Sequence, residues 1–244
     1  MNKAAIIEAR MKSTRLPGKV LKPIVGKPIL ELLIERIKQA RCLDEVIVAT
    51  TNTNADDPIE ELAQRLNVRC FRGSEEDVLD RVLKAAQSYS VDIIVEITGD
   101  CPLLEPAKID SMLKAYQYLH VDFMANRLDG SYPGGLGLRI FSRAVLEKVA
   151  SLTQDPVDHE HVTLYVWEHP DMFSIYHFQN NLDRKYWDLR LTLDNAEDFD
   201  FIRIIFEELY PHKPLFDLYD IIDLLGRRPE LMEINRHIED KPIR

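Results

Sequence analysis

Cysteine is scarce in this chain, and the three present cannot build a framework. Cys42, Cys70 and Cys101 stand in no CxxC spacing, which argues against a disulfide scaffold or a zinc site. The familiar glycine motifs for phosphate are missing too. Gly18 leads into Lys19 and Gly26-Lys27 leads into Pro28, so there is no Walker A loop; Gly134, Gly135 and Gly137 do not spell G-x-G-x-x-G after a strand. The run His159-Glu160-His161-Val162-Thr163 ends in Thr, not in the second His of H-E-x-x-H. No apolar run approaches the roughly eighteen residues of a membrane span, and the N-terminus shows no signal-peptide pattern. A cytoplasmic protein is the expectation. An excess of positive charge is also lacking: the formal net charge is −10, which argues against general nucleic-acid binding.

What is present is ordinary in bulk and uneven in distribution. A chain of 244 residues with 45% apolar and 30% charged residues has the make-up of a soluble globular protein with a substantial core. Its first 27 residues hold seven cations (Lys3, Arg10, Lys12, Arg15, Lys19, Lys22, Lys27) against the single anion Glu8, leaving −16 on the remainder. A local positive segment in an acidic protein suits a small anionic ligand better than a polyanion. The cations centre on residues 9–19, after the apolar run Ala4–Ile7. A loop leaving a strand with Arg10, Ser13, Arg15 and Lys19 can surround a polyphosphate with charged and hydroxyl donors; the alternative is a solvated basic loop.

Along the chain, strand and helix patterns alternate. Ile29–Ala40 places Ile29, Leu33, Ile37 and Ala40 at helical spacing, and Glu45–Thr51 is a continuous apolar strand. Pro58–Leu66 reads as a helix, Val68–Phe71 as a strand, and Ser74 as the cap of a helix running to Tyr89. Ile93–Thr98 is the fourth strand and Ala107–Leu119 the next helix. This order predicts a mostly parallel sheet covered on both faces, with ligands at the carboxyl ends of its strands. The second half is less regular. Strands are expected at 123–126, 138–142, 173–179 and 189–193, and helices at 143–152, 158–168, 196–210 and 216–225. No linker or repeat divides the chain, so one domain over 1–244 is expected, with an irregular C-terminal part from about residue 123.

Two carboxylates sit directly after strand patterns. Asp100 follows Gly99, and Asp194 follows the run LRLTL. Each could hold a hard cation such as Mg²⁺; each could equally be a turn residue or a helix cap. His161 and Tyr165, four apart on a predicted helix, would share one face and present a hydrogen-bonding pair, or simply pack at a helix boundary. Arg81, at i+4 from Asp77, reads as one half of a surface ion pair. Arg139 lies in an apolar strand and needs a partner or an outward path.

The block ARMKSTRLPGKVL closely resembles the N-terminal signature of 3-deoxy-manno-octulosonate cytidylyltransferases, A-R-x-x-S-T-R-L-P-G-K-x-L. ITGDCPLL and LTLDNAEDFDFI resemble that family's later blocks. RGSEEDVLDR, YPGGLGLRIFS and DHEHVTLYVWEHP resemble its spore-coat polysaccharide branch. The resemblance implies a three-layer α/β/α fold of the nucleotide-diphosphosugar-transferase type. It also implies transfer of CMP from CTP to a sugar hydroxyl with Mg²⁺, pyrophosphate leaving. It carries nucleotide contacts onto Ala9, Arg10, Ser13, Arg15, Lys19, Ser74 and Arg81. Metal ligation falls on Asp100 and Asp194, and acceptor contacts on Arg139, His161 and Tyr165. A homodimer, with its contacts and the acceptor site in the C-terminal part, is implied likewise. Thr98 stands where the octulosonate enzymes have Gln, and Gly137 and Arg139 replace two acids of the spore-coat block, which points to an acidic acceptor. The rival readings are a GTP- or UTP-dependent sugar-1-phosphate nucleotidyltransferase, and a non-catalytic nucleotide-binding scaffold of a polysaccharide pathway.

Overall fold

The computed structural model describes residues 1–239. Its elements follow in order as β1 (Lys3–Glu8), a small hairpin β2 (Pro23–Ile24) and β3 (Lys27–Pro28), α1 (Ile29–Ile37), β4 (Glu45–Thr51), α2 (Asp57–Arg65) and β5 (Arg69–Gly73). After these come α3 (Val78–Ser88), β6 (Ile93–Thr98), α4 (Pro106–Leu119), β7 (Phe123–Ala125), β8 (Arg139–Ser142) and α5 (Arg143–Leu152). The C-terminal part adds α6 (Pro156–Glu160), α7 (Leu164–Glu168), β9 (Ile175–His177), α8 (Ala196–Leu209) and α9 (Leu218–Arg227).

Seven strands form one sheet in the order β5-β4-β1-β6-β8-β7-β9. β5, β4, β1 and β6 are parallel, as the alternation of strands with crossover helices requires. Only β8 runs against its neighbours β6 and β7. The side-chain alternation of β1 sorts the core. Ala5, Ile7 and Ala9 face a cluster with Leu30 and Leu33 of α1, Leu62 of α2 and Met112 of α4. Ala4 and Ile6 face the opposite cluster, with Leu79 and Val82 of α3 and Val145 of α5. A third core lies beneath α8 and α9 around Phe201, Phe206 and Phe216. The chain moves from β1 outward through β4 to β5, then returns to the other side of β1 as β6. That reversal opens a crevice beyond the ends of β1 and β6, the place where parallel sheets bind ligands. Close contact fixes it: Gly99 N–H donates to the Glu8 carbonyl at 2.8 Å, and a Cβ on Gly99 would come within 2.9 Å of that same oxygen.

Three expectations for secondary structure fail, two of them in the second half. Residues 189–193 are not a strand of the sheet. Among the described residues their β-type pairing is confined to an isolated parallel bridge with Gly134, in which Gly134 N–H donates to Leu189 O at 3.0 Å and Leu191 N–H to Gly134 O at 2.8 Å. The alternating LRLTL pattern reflects burial of Leu191 and Leu193 in the α8/α9 core instead. Gly135 makes the approach possible. It has φ of 87°, and a Cβ there would lie 2.3 Å from the Leu191 backbone. The helix expected over 158–168 is broken into α6 and α7, because His161 (φ −110°, ψ 55°) leaves helical geometry. Ser74 does not cap α3; Asp77 does, accepting from Asp80 N–H, while Ser74 Oγ accepts from Asp77 N–H at 3.1 Å. The helix therefore begins three residues later than its acidic run suggested.

Candidate active site

The crevice at the ends of β1 and β6 holds a cavity of about 530 Å³, within the size range of small-molecule sites. At one pole, three oxygens from two separate segments converge on Lys19. This residue opens a short 3₁₀ turn (Lys19–Leu21). Its Nζ donates to Asp100 Oδ2 at 2.8 Å, Asp194 Oδ1 at 2.9 Å and the Leu193 carbonyl at 2.9 Å. Arg15 reaches the same Asp194 oxygen at 2.9 Å, and Arg190 takes its other oxygen at 3.2 Å. Leu193 N–H donates to the Asp100 carbonyl at 2.9 Å, so the two carboxylate-bearing segments are joined by backbone as well as by charge.

The charges set one another's ionisation. Burial works against the Lys19 ammonium, but Asp100 and Asp194 together outweigh it and hold it above its usual range. Burial likewise favours a neutral Asp100, yet Lys19 and the hydroxyl of Thr98 hold that carboxyl below the usual carboxylate range. The neighbouring Cys101 thiol is pushed up to about 12 by burial and by Asp100, so it is no nucleophile. Behind Asp194 stands a support that the sequence reading missed. Asp198 is fully buried; it pairs with Arg190 at 2.9 Å and accepts from the backbone N–H groups of Asp194 and Asn195 at 3.0 and 3.1 Å. Asn235 closes the group from the C-terminal side, donating to Asp198 and to the Arg190 carbonyl. The signal for it was the Asn195-x-x-Asp198 spacing, a capping box at the start of α8.

The basic loop is held open by carboxylates. Arg10 pairs with Glu160 of α6 at 2.9 Å and Lys12 with Glu75 at 2.8 Å. Its backbone is anchored by Asp56, which is buried, accepts from Met11 N–H at 2.7 Å, and also takes Thr50 Oγ1 at 2.9 Å and Thr51 N–H at 3.0 Å. Burial opposes ionisation of Asp56, but these donors hold its carboxyl below the usual range. Asp56→Ala removes a hydrogen-bonded charge and orphans its donors. It is expected to cost about 3 kcal/mol in urea unfolding. The part of that loss due to the lowered carboxyl is present above its unfolded value, near 4, and disappears as pH falls through the folded value.

Of the other predicted site residues, Ala9, Ser13, Arg81 and His161 also line the cavity. Ser13 Oγ accepts from Leu16 N–H at 3.3 Å, bracing the turn. Arg81 is no surface ion pair with Asp77: it is 2% exposed, and its guanidinium donates to the Ser74 carbonyl at 2.5 Å beside Glu8. Ser74 contributes that carbonyl and its hydrogen bond from Asp77 N–H, and is not on the cavity wall. His161 and Tyr165 do not share a helical face, since the chain breaks between them. His161 stays at the cavity mouth, while the Tyr165 ring stacks on His169 at 3.9 Å and packs edge-on to Phe173. Arg139 finds the partner that its place in an apolar strand requires. The β6–β8 register sets it opposite Glu96, and the two pair at 3.6 Å, so it does not by itself favour an acidic acceptor.

Asp100 and Asp194 converge within reach of one ammonium, and among the described residues no cluster of three or more metal-ligating side chains exists. That donor set fits a Mg²⁺-like ion, which takes one or two carboxylates and completes its shell from water and phosphate. It does not fit a dedicated protein cage. Cations for phosphate, carboxylates for a metal and a crevice at the sheet switch point make a site for phosphoryl-group chemistry.

Comparison with known proteins agrees. A family model described as cytidylyltransferase matches residues 4–218. The spore coat polysaccharide biosynthesis protein SpsF of Bacillus subtilis is 31% identical over 232 residues, covering 92% of this chain and 94% of SpsF. A 3-deoxy-manno-octulosonate cytidylyltransferase of Geobacter sulfurreducens is 40% identical over 113 residues, 46% of this chain and 44% of that enzyme. A solved cytidylyltransferase from Leptospira borgpetersenii superposes with a TM-score of 0.90 at 33% identity, covering 99% of this chain and all of the other. With its fold, its crevice and its matched length in accord, the chain belongs to the cytidylyltransferase family and is a nucleotidyltransferase.

Proposed function

We propose that this enzyme transfers CMP from CTP to a hydroxyl of a sugar acceptor, with Mg²⁺ and release of pyrophosphate, in the making of a surface polysaccharide or glycan. The observation that carries the reading is Lys19 held between Asp100 and Asp194, with Arg15 beside them, at the switch point of the sheet. These groups come close to neutralising one another, so a triphosphate entering among them brings surplus negative charge. A divalent ion held by Asp100 and Asp194 would offset that charge and shield the α-phosphorus from repulsion toward an incoming oxygen.

In this reading Lys19 and Arg15 turn from the carboxylates to the β- and γ-phosphate oxygens and stabilise the charge that grows on the leaving pyrophosphate. Arg10 and Ser13 hold the remaining phosphate oxygens from the loop. Ala9, small and at the strand end, lets the base approach the backbone, with Arg81 and the Ser74 carbonyl behind it. His161, at the opposite lip, meets the acceptor. Tyr165 and Arg139 act on that side only through packing and through Glu96.

The deciding assay is pyrophosphate release with CTP, UTP, GTP or ATP against a panel of octulosonate, nonulosonate, neutral, amino and phosphorylated sugars. Turnover is expected with CTP and one acceptor class, and to vanish when EDTA removes divalent metal. Turnover with GTP or UTP on a sugar 1-phosphate establishes the rival transferase. CTP binding without turnover on any acceptor establishes the scaffold.

A further inference from the structure

We propose that Glu8 takes the proton from the acceptor hydroxyl, with Glu96 as the residue that positions it; the proposal rests on the transferase reading above. Attack on the α-phosphorus requires that the hydroxyl lose its proton, and the cavity offers few groups to receive it. Asp100 and Asp194 are engaged by Lys19, Glu75 by Lys12 and Glu160 by Arg10. Glu76 and His161 are exposed at the mouth. Glu8 alone is a carboxyl on the floor, at the last position of β1 and beside the crevice that Gly99 keeps narrow. Its Oε1 is buried and accepts no hydrogen bond, and the same holds for Glu96 Oε2.

The two carboxyls stand on one face of the sheet. Glu8 pairs in register with Thr98 on β6, and Glu96 lies two residues earlier on the same side, within hydrogen-bonding reach of Glu8 and Thr163. Two buried acceptors at that range are stable only with a proton between them. Every neighbouring element supplies a charge: Arg81 from α3, Arg139 from β8, Asp100 after β6 and His161 after α6. Burial first, then Glu96 and Asp100, drive the Glu8 carboxyl well above the usual range, against Arg81 and Arg139. Such a carboxyl is a stronger base than an exposed one. A structural account makes Glu8 a counter-charge to the buried Arg81, but it does not explain why that charge stands against Glu96, since the Arg139–Glu96 pair is complete without it.

The step balances. The acceptor O–H bond breaks and its proton passes to Glu8, while the shared proton settles on Glu96. The acceptor oxygen bonds to the α-phosphorus, and the bond from that phosphorus to the bridging oxygen breaks. Pyrophosphate carries off the electron pair, and the dyad then returns one proton to water.

The test compares full-length wild type, Glu8→Gln and Glu96→Gln by pyrophosphate release from CTP with the acceptor found above. Glu8→Gln is expected to lower kcat about 100-fold or more with KM for CTP within threefold, and to abolish the fall in rate at low pH. Glu96→Gln is expected to keep that fall but move its midpoint. Thermal melts from pH 4 to 8 supply a readout without turnover. Because a raised carboxyl loses stability as pH climbs from its unfolded to its folded value, Glu8→Gln should gain in Tm over wild type across that rise. Wild-type kcat and an intact acid limb in Glu8→Gln overturn the proposal, as does a Tm difference that does not change with pH. A wild type inactive with every nucleotide and acceptor refutes the transferase reading instead, and the melts still decide whether Glu8 is held protonated.

Discussion

Lys19→Met is expected to turn over about 10³-fold more slowly than wild type at saturating CTP and acceptor, the scale set by losing a charged donor aimed at developing charge. The loss should fall on kcat, because the ammonium touches Asp100 and Asp194 before substrate arrives and is of most use once pyrophosphate charge develops. Methionine preserves the unbranched stem and removes only the charge. The fold should survive, with a stability penalty of defined pH dependence. In wild type, Lys19 holds the Asp100 carboxyl below its usual range. That contribution is therefore present above the unfolded value near 4 and lost as pH falls through the folded one. The gap in unfolding free energy between wild type and Lys19→Met should be widest at neutral pH and close below about pH 4. Urea titrations at pH 7 and pH 3.5 check the stability, and a single-turnover measurement checks the rate. A variant with wild-type kcat would remove Lys19 from the chemistry.

The second large effect is one of structure. Asp198→Asn should destabilise the protein by about 3–5 kcal/mol, the usual cost of breaking a buried ion pair from one side. In a chain of this length that is a fall in Tm of roughly 10 °C. Arg190 would lose the carboxylate it meets at 2.9 Å. The carboxamide can also turn an N–H toward the backbone donors of Asp194 and Asn195, which need an acceptor. Asp198 does not line the cavity, yet activity should fall with it, because Asp194 is aimed by the backbone that Asp198 holds. Differential scanning calorimetry with a parallel pyrophosphate assay would show both losses, and restoring turnover with excess Mg²⁺ would not restore the Tm.

The first half of the molecule was readable because its signals are local. Ile93–Thr98 begins and ends in the structure where its apolar run begins and ends, Glu45–Thr51 likewise, and crossover helices between parallel strands admit one handedness and one rim. Arg15, Lys19 and Asp100 therefore met as expected. The second half depends on tertiary context. The run at 189–193 alternates like a strand, but its buried side is supplied by α8 and α9, so it never joins the ladder. The helical spacing of His161 and Tyr165 says nothing about the turn between them that separates one from the other. The partner that Arg139 needed had no signal in the chain, because Glu96 is its neighbour only through strand register, forty-odd positions away. Glu8 was counted merely as the lone anion of a basic segment. Its significance comes from Glu96 and Arg81, which approach it from two other elements.

The way Asp194 is delivered has a consequence for how variation in this protein should be interpreted. Its segment leans on Gly134 and Gly135, and the space at Gly135 admits no side chain beyond hydrogen. An alanine there would push the 190–194 segment outward and carry the carboxylate off the Lys19 ammonium, although Gly135 touches nothing in the cavity. In a genetic screen such a substitution would be indistinguishable from a lesion in the active site itself. Loss-of-function alleles of this enzyme should thus be sought in the tight turn opposite the C-terminal segment as much as in the signature loop.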